Sequence, residues 1–188
     1  MKQLIFLLLA AITFTSCKKD KNPIVPVQPP ANEEEVITTL VLTFTDVQSN
    51  EEYVFRFTDL DGDGGNAPVL EGDELPSNRS FYVFITLLNE SVSPVQNITT
   101  QVEEELEQHQ FFFQTAGVNL TMAYADEDAN MHPVGLINNS TSLSPSSGTL
   151  KVTLRHSPDK NAAGVSNGDM TNAGGDTDIE VIFPVVIV

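Results

Sequence analysis

The chain has 188 residues, and its 26 Asp and Glu outnumber nine Lys and Arg to give a formal net charge of −17. That balance argues against nucleic acid or an anionic lipid surface as a partner, since both repel an acidic protein, whereas an acidic surface suits cations or plain solubility. A single cysteine, Cys17, excludes any internal disulfide.

Residues 4–12 form an apolar run of signal-peptide length behind Lys2, too short to span a bilayer as a helix, which needs roughly 20 residues. It ends in Phe14-Thr15-Ser16-Cys17, which resembles the lipobox of bacterial lipoproteins. The resemblance implies cleavage of residues 1–16 and acylation of Cys17, with chains such as palmitate, on both thiol and amine. Several acyl chains hold a protein at a membrane far more firmly than one. Cleavage removes Lys2, taking the net charge to −18 over about 172 residues, enough for one domain with a real core. Residues 17–35 then read as the lipidated Cys and a disordered tether, with Pro23, Pro26, Pro29 and Pro30 and too little apolar surface to order itself.

From Val36 onward the pattern is β. Residues 36–45, 53–57, 81–88, 111–113, 118–124, 150–154 and 179–183 are rich in β-branched and aromatic residues, several with period-two alternation. Asn, Asp, Gly, Pro and Ser fill the gaps between them. The expected fold is an all-β, Ig-like sandwich over 36–188. Residues 99–110 are ambiguous, because Thr100 to Glu103 has a capping-box pattern and Val102 and Leu106 stand at i, i+4. A strand beginning near Leu106 agrees better with the repeat that follows.

Shifting the chain by 67 residues lays Asp59-Leu-Asp61-Gly-Asp63 on Asp126-Glu-Asp128-Ala-Asn130, Phe57 on Tyr124, Ile85 to Leu87 on Val152 to Leu154, and Phe44 on Phe111. Asp59 to Thr86 and Asp126 to Thr153 span the same interval. Two related β units, 36–102 and 103–188, in one domain are the expectation; chance likeness of β patterns is the alternative.

Asp59, Asp61 and Asp63 alternate in a Gly-rich turn, a spacing that converges carboxylates on one point and suits calcium, which takes six to eight oxygens. It is not an EF-hand, since position 12 of that pattern is Leu70 and no flanking helices are evident. The competing reading is a turn whose Asp side chains cap backbone amides. Asp126, Asp128 and Asn130 repeat the spacing without the glycines. In residues 103–109, period-two spacing would put Glu105, Glu107 and His109 on one strand face. With His156, which closes another strand, they are candidate ligands for zinc or another transition metal, although nothing in the sequence brings the two histidines together. Surface solvation is the plainer reading, and it also suits His132. Residues 161–178 make a long Gly-rich loop in which Asp169, Asp176 and Asp178 are candidate ligands.

No Gly-x-Ser-x-Gly elbow, P-loop or HExxH motif is present. With no Trp and three Tyr, the chain is poorly stocked to stack sugars for glycoside hydrolysis. No catalytic activity is expected.

Several segments together resemble a group of small Bacteroidota lipoproteins labelled "type 1 periplasmic binding fold" proteins: 57–66, Glu103 to Glu105 with His109 to Phe111, Thr153 to His156, 164–169 and 171–180. The resemblance covers most of 36–188 and implies no activity, but it suggests an accessory to an outer-membrane receptor. The label implies an α/β fold in two lobes, which the strand-rich pattern and the length oppose. The expected function is a non-catalytic binding module on the cell envelope, lipid-anchored in the outer membrane and either metal-binding or serving a receptor. The alternative is a structural or adhesive module with calcium-stiffened loops.

Overall fold

The structure, a computed structural model, describes residues 36–62 and 64–188. The apolar run, Cys17, the proline-rich stretch and Asp63 lie outside the described residues. Among the described residues, ten strands carry the fold. They are β1 (Thr39–Asp46), β2 (Glu52–Thr58), β3 (Val69–Gly72), β4 (Arg79–Asn89), β5 (Gln96–Asn97), β6 (His109–Ala116), β7 (Leu120–Tyr124), β8 (Ile137–Ser142), β9 (Ser146–His156) and β10 (Asp176–Ile187). They form two antiparallel sheets. The larger runs β3-β2-β1-β4-β8-β7, with β5 on β4; the smaller runs β10-β9-β6. Among the described residues no helix is long and apolar enough to cross a membrane.

The alternation that marks these strands in sequence is the alternation of burial. Leu40, Leu42 and Phe44 of β1 and Phe81, Val83, Ile85 and Leu87 of β4 are buried, as are Leu150, Val152 and Leu154 of β9 and every second residue of β10 from Ile179 to Ile187. Together they make one core. Phe55 of β2 meets Phe183 of β10 edge-on, ring centroids 6.1 Å apart, which ties the two sheets together.

Several elements differ from the sequence reading. Residues 99–104 are a short helix, α1 (Thr99–Glu104), followed by a 3-10 turn at Leu106–Gln108, so the strand starts at His109 rather than near Leu106. The expected capping box is absent: the N-cap is Ile98 and no side chain caps it, while the Thr99 hydroxyl accepts the Leu87 amide instead. Burial decides the helix, because Ile98 and Val102 are both sealed against the core. Strands β3, β5 and β8 lack the apolar alternation and were not expected.

The 67-residue interval reappears in the strands, since β4 occupies 79–89 and β9 occupies 146–156. Each pairs antiparallel with an earlier strand of its half, β1 and β6 respectively. The second strands diverge: β2 pairs with β1, whereas β7 leaves β6 and joins β8 in the other sheet.

Candidate metal centre

The end of the small sheet brings together residues far apart in the chain. His109 opens β6 and His156 closes β9, and the antiparallel register sets them directly opposite each other. Directly opposed residues lie within reach of one another, and the two imidazoles meet edge to face with centroids 4.7 Å apart. Both face the sandwich interior, as Phe111 does two residues along β6 and Leu154 two residues back along β9. Their side chains are 0% and 9% exposed.

The third member comes from β10. Thr177 pairs with Arg155 and Ile179 pairs with Leu154, so Asp178 is the extra residue of a β-bulge. Bulges re-aim side chains. In an unbroken strand Asp178 would alternate away from the inward-facing Ile179; here its carboxylate is 1% exposed and lies against both histidines. His109 Nε2 is 3.6 Å from Asp178 Oδ2, and His156 Nδ1 is 3.9 Å from Oδ1. Taking one atom from each residue, the three groups lie within 4.8 Å of one another.

The preceding turn orients one imidazole. His109 Nδ1 lies 3.2 Å from the Glu105 carbonyl oxygen. A carbonyl only accepts, so the proton sits on Nδ1 and Nε2 is the atom offered toward Asp178. Histidine ligands are held in this way at metal centres, by an outer hydrogen bond that fixes tautomer and ring plane. The 3.6 and 3.9 Å separations approach the roughly 3.4 Å between donor atoms that a tetrahedral ion imposes with bonds of about 2.1 Å.

Of the residues named from sequence, His109 and His156 therefore meet, and Asp178, singled out within its loop, joins them. Glu105 and Glu107 do not sit on a strand face with His109, because both precede the strand. Glu107 is exposed in the 3-10 turn, and Glu105 contributes its backbone carbonyl. His132 is half-buried and uses its backbone amide on Asp128.

The acidic loops make bonds of their own. Asp59 Oδ1 accepts the Gly62 amide, and Asp61 Oδ2 accepts both the amide and the side-chain nitrogen of Asn66. The Asn66 amide hydrogen bond is the main cause holding the Asp61 carboxyl below its usual range. In the second loop, Asp126 accepts the amides of Gly135 and Ile137. Asp128 accepts those of Asn130 and His132 on one oxygen, and Lys160 Nζ at 2.9 Å on the other. Asn130 is exposed.

Two of the clefts among the described residues bear on these groups. One, of about 460 Å³, is lined by the Asp128–Lys160 pair and Asn130. The other, of about 510 Å³, is lined by Asp178 and by Asp59, Asp61 and Gly62 of the first acidic loop. The second touches Asp178, whose carboxylate is 1% exposed, and neither histidine lines it.

Comparison with protein-family models, with curated proteins and with solved structures returns no match.

Proposed function

We propose that this protein is a cell-envelope lipoprotein, acylated at Cys17, whose sandwich binds a first-row divalent transition ion without catalysing a reaction. Zinc is the first choice of ion, and His109, His156 and Asp178 are its ligands. The observation that carries this reading is the convergence of two imidazoles and one carboxylate, from three adjacent strands, in a place almost closed to solvent. Imidazole nitrogens suit zinc and its neighbours and are poor partners for calcium, which prefers oxygen. Three ligands leave a fourth position on the ion for water or an exchanging group. An exchangeable ion fits the role of accessory to an outer-membrane receptor that the resemblance to small Bacteroidota lipoproteins suggests.

Thermal unfolding tests the metal reading. An ion that binds only the folded state stabilises it by RT ln(1 + [L]/Kd), about 2.7 kcal/mol at a hundredfold excess over Kd. Zinc should raise Tm by several degrees over chelator-treated protein, and His109→Ala, His156→Ala and Asp178→Asn should each lose the rise. A wild-type response to magnesium as large as that to zinc, or variants that respond as the wild type does, would refute the site. For the anchor, Cys17→Ser should move the protein from the membrane fraction to the soluble one; retention at the membrane would count against lipidation.

A further inference from the structure

The geometry points to Arg155 as the residue that positions Asp178 for the ion, an inference that rests on the metal reading of the His-His-Asp group. A bulged residue stands outside the regular ladder, so the turn that leads into it helps to set where its carboxylate points. Arg155 anchors that turn. It is the register partner of Thr177 and neighbours His156 on β9. Its Nε and Nη2 donate to the Gly174 carbonyl at 3.0 and 2.6 Å, Nη2 also donates to the Gly175 carbonyl, and Nη1 donates to the Thr177 hydroxyl at 2.5 Å.

One guanidinium therefore fixes three of the four residues that lead into Asp178. The turn also presses against the strand that carries a ligand: a Cβ built on Gly175 would stand 2.2 Å from the His156 carbonyl oxygen, and φ there is +69°. Carboxylate and imidazole are thus referenced to the same strand end. A planar fork with several fixed donors suits this task, and the single mobile ammonium of lysine does not.

The hydrogen bonds of Arg155 go to the turn before Asp178, so its role is positioning, and it parallels the outer partners whose loss typically lowers metal affinity 10–100-fold. The test is cobalt(II) titration of the full-length chain, followed by its visible absorption, with zinc affinity measured by competition. Arg155→Gln and Arg155→Lys should both bind zinc 10–100-fold more weakly than wild type, and their cobalt spectra should move toward that of Asp178→Asn. A merely structural arginine would lower Tm and leave the spectrum of the bound ion unchanged. Wild-type affinity and spectrum in Arg155→Gln, with Asp178→Asn impaired, overturns the positioning role and leaves the metal site standing. No cobalt band in the wild type overturns both.

Discussion

Three described aspartates, Asp46, Asp128 and Asp178, have buried side chains. Asp128 has a built-in cation: Lys160 Nζ lies 2.9 Å away, with the two side chains 1% and 4% exposed, and Nζ donates also to the Leu106 carbonyl. Burial pushes the Asp128 carboxyl up, but the hydrogen bonds from Lys160 and from the His132 and Asn130 amides outweigh it and hold the group below its ordinary value. The folded state then binds fewer protons than the unfolded state. The stabilisation is present above the unfolded value, near pH 4, and is lost as pH falls through the depressed folded value. Asp128→Asn should therefore be less stable than wild type at neutral pH, and its Tm should fall less steeply on acidification below about pH 4. Lys160→Met strands a buried carboxylate and should cost on the order of 3 kcal/mol at neutral pH; melting curves that superimpose on wild type would contradict this account. The Asp128 spacing was legible in sequence, but its partner was not, since Lys160 lies 32 residues on and is brought there by the tertiary fold.

At the scale of elements, strands with apolar alternation declare themselves and those without it do not. β8 reads Ile-Asn-Asn-Ser-Thr-Ser, yet it is an interior strand of the large sheet, between β4 and β7. Its buried face is polar: Asn138, Ser140 and Ser142 hydrogen-bond to backbone carbonyls of Gly135, Thr121 and Pro76. β3 is exposed along its whole length at the sheet edge, so no buried face patterns it. The loop read at 161–178 is polar in sequence, but Val165 and Ala173 pack on Phe112 of β6, Gln110 Nε2 donates to the Val165 carbonyl at 2.9 Å, and β10 takes over at Asp176. Where β6 gives way to β7, the chain crosses from the small sheet to the large one directly over β9. A Cβ on Gly148 would sit 2.1 Å from the Ala116 carbonyl oxygen and 2.5 Å from the Val118 nitrogen. Gly148→Ala should therefore force backbone apart and destabilise by about 1–3 kcal/mol in chemical denaturation, whereas an unchanged midpoint would mean that the crossing is not held so closely.

Across the whole molecule, an all-β sandwich follows from the period-two pattern, and the large apolar residues it marks are the core. The site was legible only in part. His109 and His156 stood out as metal-type residues, but they lie 47 positions apart, and only the β6–β9 register sets them face to face. Asp178 was visible as one carboxylate in an acidic loop. What turns it toward the two histidines is a bulge, and a single extra residue in a strand leaves no mark that periodicity detects. The central claim is that the end of the small sheet is a metal centre. The most direct test is anomalous diffraction at the zinc edge from crystals of the protein equilibrated with zinc. The account predicts a peak about 2.0–2.2 Å from His109 Nε2, His156 Nδ1 and an Asp178 carboxylate oxygen. A zinc-equilibrated crystal with no peak there, or with its peak only in the Asp59–Asp61 loop, would contradict it.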